Sequence, residues 1–326
     1  MPETLVLAES AGGKIDPITA ELVTAARALG KPVAVAVLGD RTDALAAQAS
    51  ALGVERVYTA QDPQLADTPL EAMVEAFAQV CRTVGPETVI VGRTTAGSDI
   101  APRVAFRLGA GVAQDCTAIK TDAATGRVVA TRPVYGGNAV ALVTFPAGVM
   151  QFLIMRSKVY EPAKSDASRK ADTVPVKVEI KPGVVKVKHI ETVRQASQGV
   201  KLEDAAVVVS GGRGLGGPEP FKQLKELADV LGGAMGASRA ACDAGWIDHS
   251  HQVGLTGVTV APSVYIAIGI SGASQHMAGL SGAKHIVAIN RDREANIFKE
   301  ASYGVVGDWK AILPSFVATL RELVKS

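Results

Sequence analysis

Residues 205–217 read AAVVVSGGRGLGG: a short apolar run passes into a glycine turn, and a helical pattern follows from Pro218 to about Leu231. An apolar run of this length without alternation is a strand covered on both faces. Covering both faces takes helices on both sides, so the strands are parallel and joined by crossovers. The pattern continues to the end of the chain. GAMGAS (233–238), VYIAIGIS (264–271), HIVAIN (285–290) and YGVVG (303–307) read as further strands, and Asp308 caps a last amphipathic helix reaching about Val324. The predicted architecture is an open, doubly wound α/β sheet, which binds ligands beyond the carboxyl ends of its strands.

The first half alternates in the same way. LVLAE (5–9), PVAVAVLG (32–39) and ETVIVGR (87–93) are strands. Asp16 and Pro17 open one helix, Thr68 and Glu71 form a capping box for a second that ends near Thr83, and a third starts near Ser98. This predicts a parallel-sheet α/β domain. AVALVTF (139–145) and MQFLIMR (150–156) lie close together and predict an added antiparallel portion. A Lys-, Ser- and Pro-rich stretch with short alternating Val-Lys segments follows, placing the domain boundary near residue 195, with domains at 1–195 and 196–326.

The 34 basic and 32 acidic residues leave a formal charge of only +2, and no basic-aromatic interleaving marks a nucleic-acid surface. Cys81, Cys116 and Cys242 are isolated, which excludes a CxxC zinc site and fits a reducing compartment. His249 and His251 lack a nearby acidic or Cys partner, so no metal site is expected. No apolar run reaches the ~20 residues of a membrane span. The N-terminus shows no basic segment leading into an apolar one, so a cytoplasmic protein is expected.

The chemistry-bearing residues fall at strand ends. Gly212, Gly214 and Gly217 spell G-x-G-x-x-G, which serves either as a tight strand-helix turn or as a close backbone approach to phosphate. Where a dinucleotide fold places an acidic residue for the ribose, this chain has Ser238 and Arg239; the arginine suits NADP, a flavin or a pyrophosphate. Ser271, Gly272 and Ala273 leave backbone N–H groups reachable for an anion, with Ser274, Gln275 and His276 entering the next helix. Thr256 is the hydroxyl of the small-residue loop HQVGLTG (251–257). Asn290 and Asp308 end two more strands, and Asp308 also reads as a plain helix cap.

SGGRGLGG (210–217), GASRAACDAGW (236–246), HQVGLTG, VYIAIGISGASQHMAGL (264–280), IVAIN (286–290) and YGVVGD (303–308) together resemble the alpha subunit of electron-transfer flavoprotein, the family that includes the FixB-type proteins. The likeness covers the C-terminal domain almost end to end, and TRPVYGGNA (131–139) resembles a family segment in the first domain. The resemblance implies an FAD held in the C-terminal domain at a beta subunit, on which the N-terminal domain also packs. It implies Arg213, Ser238 and Arg239 as cofactor-binding residues. Thr256 would lie at the flavin N5 in a loop with Val253, Gly254 and Leu255, and Ser271 to His276 would run along the FAD. His276 would lie near the flavin carbonyl end, and Asn290 and Asp308, with Trp309 adjoining, would hold the adenosine half. Arg239 and His276 would offer positive charge or a donor to an anionic semiquinone, and Thr256 a donor that tunes potential. The implied activity is an electron shuttle of fatty acid β-oxidation, from acyl-CoA dehydrogenases to a quinone-linked acceptor. Alternatives are the alpha subunit of an electron-bifurcating complex that oxidises NADH, an NADP-dependent oxidoreductase, and an interaction subunit without cofactor. Leu255 and Val258 depart from the family's Gln-Thr-Gly-Lys loop.

Overall fold

A computed structural model describes residues 3–137, 139–187, 190–191, 200–280 and 282–325. The chain divides into two compact units that change over at residues 192–193. The boundary expected near residue 195 lies outside the described residues.

The first unit contains β1 (Thr4–Ala8), β2 (Ser10–Ala11), β3 (Lys14–Ile15), α1 (Ile18–Arg27), β4 (Val33–Gly39), α2 (Asp43–Ala51), β5 (Arg56–Gln61), α3 (Leu70–Val84), β6 (Thr88–Gly92), α4 (Thr95–Leu108), β7 (Gly111–Cys116), β8 (Ala118–Thr121), β9 (Val128–Val134), β10 (Ala139–Val143), β11 (Gln151–Met155) and β12 (Asp172–Pro175). Seven strands form one sheet in the order β12-β5-β4-β1-β6-β11-β7, every pair parallel. The expected antiparallel portion is the separate sheet β10-β9-β8. β11 is not part of it: its residues are buried throughout, and it inserts between β6 and β7. The Thr68–Glu71 capping box does not form. Thr68 has a left-handed backbone (φ +48°), and Pro69 precedes α3 with no side-chain cap. The Val-Lys stretch beyond β12 belongs to this unit, because Val176, Val178 and Ile180 alternate into its core.

At the carboxyl ends of β1 and β6 the Thr94 hydroxyl lies 2.7 Å from both Glu9 carboxylate oxygens, and Thr94 caps α4 through the Gly97 N–H. Burial pushes the Glu9 pKa up to about 7, against the Thr94 hydrogen bond.

The second unit contains β13 (Val207–Gly211), α5 (Pro220–Val230), β14 (Ala234–Ala237), α6 (Arg239–Asp243), β15 (Val264–Ile268), α7 (Ser274–Ala278), β16 (His285–Asn290), α8 (Ile297–Glu300), β17 (Tyr303–Val306) and α9 (Trp309–Lys325). Its five strands are all parallel in the order β14-β13-β15-β16-β17. Alternate residues of β15 enter two cores: Tyr265 and Ala267 face one layer, Ile266 and Ile268 the other. This accounts for the unbroken apolar runs. Among the described residues, no helix is long and apolar enough to cross a membrane, and no cluster of three or more His, Cys, Asp or Glu could hold a metal ion.

Candidate functional site

The strand order of the second unit fixes where a ligand can sit. The chain leaves β13 toward β14 on one side, while β15 and its successors lie on the other, so the sheet reverses direction between β13 and β15. The crevice outside the carboxyl ends of such a pair is the ligand position of doubly wound sheets.

Glycines build the floor of this crevice. The Gly212 N–H donates to the Ile268 carbonyl at 2.9 Å, and the Gly214 N–H to the Gly269 carbonyl at 3.0 Å. A Cβ on Gly212 would lie 2.2 Å from the Gly269 oxygen, and one on Gly214 2.7 Å. The first two glycines of the motif are therefore required by loop-to-loop packing. Gly217 faces open space. The start of α5 is a poor phosphate seat, because Pro220 lacks an N–H and exposed Glu219 brings negative charge. Arg213 is exposed in the turn and makes no side-chain hydrogen bond or ion pair among the described residues.

The loop after β15 is organised differently. Four consecutive carbonyls turn into the protein: Ile268 and Gly269 accept from Gly212 and Gly214, Ile270 from Asn290 Nδ2 at 2.9 Å, and Ser271 from the Ile297 N–H at 3.1 Å. The N–H groups of Ser271, Gly272 and Ala273 have no acceptor among the described residues. Gly272 is required here: its φ is +77°, and a Cβ would meet the Ile297 nitrogen at 2.2 Å. Ser271 and Ala273 are exposed, and so is Gln275, whose Oε1 accepts from Ser274 Oγ at 3.3 Å. The result is a ribbon of donors with its acceptors already spent, an arrangement suited to an anion.

The Thr256 loop closes on itself. Val258 N–H donates to the Gln252 carbonyl at 2.7 Å, and Gly257 N–H to the Gly254 carbonyl at 3.1 Å. Leu255 N–H donates to the Gln275 carbonyl at 2.7 Å, and Val253 N–H to Ala237 at 2.9 Å, so the loop is tied to both α7 and β14. Thr256 is exposed at its tip, and its Oγ1 accepts from Gln252 Nε2 at 3.0 Å. Leu255 is half-buried, and Val258 packs against the core, which accounts for an apolar residue at that departure from the family pattern.

Ser238 precedes α6 with its Oγ buried and without a hydrogen-bond partner. Exposed Arg239 pairs with Asp243 one turn on, Nε to Oδ2 at 3.3 Å. His276 is only 7% exposed, and its Nε2 lies 2.9 Å from the Tyr265 hydroxyl. Its Nδ1 is buried without a partner. Burial pushes its pKa down to about 4, partly opposed by the Val253 backbone. Of the two roles expected of His276, charge or donor, a lowered pKa favours the donor near neutral pH, a neutral imidazole with one N–H. Asn290 spends both poles on backbone, Nδ2 on Ile270 and Oδ1 on the Asp292 N–H at 3.0 Å. Asp308 accepts from the Lys310 N–H at 3.0 Å, the capping role, and Trp309 packs against the core beside it.

The switch point thus gathers the Arg213 turn and the 271–276 loop, and the Thr256 loop is bonded to Gln275. Sequence reasoning missed Gly269, Gln252 and Tyr265. Gly269 acts through Gly212 and Gly214 more than fifty positions away and Tyr265 through His276 on the next helix, whereas the partners of Gln252, His249 and Thr256, are local and are brought together by the fold of the loop.

Comparison with known proteins matches both units to one family. Residues 4–181 match the Electron transfer flavoprotein domain, and residues 201–281 match the Electron transfer flavoprotein FAD-binding domain. The chain belongs to the electron transfer flavoprotein alpha subunit family. It is 41% identical over 323 residues to the alpha subunit of Megasphaera elsdenii, covering 97% of this chain and 96% of that one. It is 39% identical over 322 residues to that of Thermoanaerobacterium thermosaccharolyticum, with 98% and 97% covered. It is also 37% identical over 326 residues to the protein FixB of Clostridium saccharobutylicum, with 98% and 97% covered. Membership supports a flavin as the cofactor class and electron transfer as the class of activity. The FAD-binding match spans the glycine turn, Arg239, Thr256 and the 271–276 loop, while Asn290, Asp308 and Trp309 lie beyond it.

Proposed function

We propose that this chain is the FAD-carrying alpha subunit of a heterodimeric electron-transfer flavoprotein. It works with a beta subunit in the cytoplasm and passes electrons from dehydrogenases of the acyl-CoA class to a quinone-linked acceptor. The observation that carries the reading is the loop after β15, where carbonyls 268–271 are bonded inward and the N–H groups of Ser271, Gly272 and Ala273 are left to a ligand.

The residues present fit FAD. Its pyrophosphate matches the donor ribbon together with Arg213, which has no ion-pair partner among the described residues, and the orphaned Ser238 Oγ is a polar group whose bonding the protein leaves incomplete. A bound isoalloxazine supplies the capacity to take up and release electrons singly. The protein's task is to bind, orient and tune. Thr256 keeps its hydroxyl proton for a ring acceptor, because its oxygen already accepts from Gln252. Arg239 supplies positive charge, moderated by Asp243. No general base is required.

The test is an absorption spectrum of the chain co-purified with its beta subunit, followed by anaerobic titration with an acyl-CoA dehydrogenase as donor. One FAD per heterodimer, reduced by that donor and not by NADH, is expected. Two FADs with one reduced by NADH would assign the chain to a bifurcating complex, and a colourless heterodimer would overturn the reading.

A further inference from the structure

A line of polar contacts leads to Thr256 from outside the cofactor-facing residues. His249 Nδ1 lies 3.0 Å from Gln252 Oε1, and Gln252 Nε2 lies 3.0 Å from Thr256 Oγ1. Gln252 is 5% exposed, although an amide is costly to bury unless both ends are bonded. The loop is shaped around it: a Cβ on Gly257 would lie 2.3 Å from the Gln252 carbonyl oxygen and 2.9 Å from its Cγ. Its backbone is held by the Val258 N–H on one side and the His249 carbonyl on the other.

The donor and acceptor inventory gives this line a direction. With the Gln252 amide in this orientation its oxygen accepts, which calls for a proton on His249 Nδ1. An amide nitrogen only donates, so Thr256 Oγ1 must accept, and its own O–H is left to point elsewhere. Nothing within the loop competes for that proton. His249 Nε2 has no equal claim on its proton, because Asp243 Oδ1 lies 3.8 Å away, beyond hydrogen-bonding distance. Among the described residues the charged groups shown to face His249 are Asp243 on α6, itself paired with Arg239, and Asp248 beside it in the chain.

We propose that Gln252 is a positioning residue, oriented by His249, that fixes the Thr256 hydroxyl as a hydrogen-bond donor toward the cofactor. The proposal rests on the FAD reading above and adds that the polarity of the Thr256 contact is set by buried Gln252 rather than by Thr256 alone. The buried amide would restrain the exposed threonine at the loop tip, where a free hydroxyl would rotate.

Two readouts test it. The first is the tautomer of His249 by side-chain ¹⁵N NMR of the heterodimer at a pH where the ring is neutral, assigned with His249→Asn. The expected form carries its proton on Nδ1 and shifts to Nε2 in Gln252→Leu. A proton on Nε2 in the unmodified protein overturns the proposal. The second is the flavin midpoint potential in a double-mutant cycle. Gln252→Leu and Thr256→Val should lower it by similar amounts, and the double variant should lower it no further. Gln252→Glu, which keeps the shape but offers only acceptors, should draw the Thr256 proton inward and also lower it. Fully additive shifts would show that Gln252 acts independently of Thr256 and would overturn the proposal. A heterodimer without flavin would instead remove the FAD reading and this proposal with it, a result distinct from flavin bound with additive shifts.

Discussion

The Tyr265 hydroxyl and His276 Nε2 lie 2.9 Å apart in the interior of the second unit, joining strand β15 to helix α7. The ring pair is edge-on, with centroids 5.9 Å apart. The imidazole is held neutral: burial lowers its pKa from 6.5 to about 4. The folded state binds this proton more weakly than the unfolded chain does. Its stabilising effect is therefore complete above pH 6.5 and is lost as pH falls toward 4. Over that window the cost reaches about 3 kcal/mol. His276→Gln retains a polar partner for Tyr265 and does not titrate. Urea midpoints at pH 7.0, 5.5 and 4.5 should fall more steeply for the unmodified protein than for His276→Gln, and parallel slopes would count against a neutral buried imidazole.

Much of the fold was legible because its central strands are uninterrupted apolar runs of the kind a doubly covered parallel sheet buries, although β10 is such a run in the antiparallel sheet and is largely exposed. What stayed hidden depended on partners distant in sequence. Gln151–Met155 was readable as a strand, but its place between β6 and β7 was not, since an apolar run reports burial and says nothing of neighbours. Thr68 and Glu71 had the spacing of a capping box, yet the left-handed backbone of Thr68 prevents one. At the site, Thr256 and the 271–276 loop stood out as polar or small residues at strand ends. The need for Gly212 arises 57 positions away at Gly269 (212 to 269), and the neutrality of His276 follows from its enclosure beside Tyr265.

The glycines of the motif should separate by substitution. Gly212→Ala forces a methyl to within 2.2 Å of the Gly269 oxygen, backbone against backbone with nothing to rotate away. A loss of about 2–4 kcal/mol in stability is expected. Gly217→Ala meets nothing within 4 Å and should change stability by less than about 0.5 kcal/mol. Equal losses by thermal or denaturant unfolding would refute packing as the reason for the first glycine.

Glu9 carries a pH dependence of opposite sign. Its folded pKa, about 7, lies above the ordinary 4.5 chiefly through burial. The folded state thus favours the protonated acid. That stability is complete below pH 4.5 and is lost as pH rises through 7, by up to about 3 kcal/mol. Glu9→Gln keeps a neutral partner for Thr94 at every pH. Its stability relative to the unmodified protein should improve steadily between pH 4.5 and 8, and a constant difference across that range would mean that Glu9 is ionised throughout.

Arg213 and Arg239 should differ in how they serve the cofactor. Arg239 is engaged by Asp243 at 3.3 Å, whereas Arg213 is exposed and without an ion-pair partner among the described residues. An unpaired guanidinium loses only hydration when it meets a pyrophosphate, and a charge-assisted hydrogen bond contributes about 1.5–3 kcal/mol. Arg213→Ala should therefore weaken FAD retention by roughly 10- to 100-fold. Fluorescence of flavin released from the heterodimer on dilution measures this directly. The difference between the unmodified protein and Arg213→Ala should shrink as salt is raised, since an exposed charge is screened over about 8 Å at physiological ionic strength. Arg239→Ala should affect retention less, because Asp243 already offsets its charge. If Arg239→Ala releases FAD more readily than Arg213→Ala, the pyrophosphate is held at the end of β14 rather than at the β13/β15 switch point.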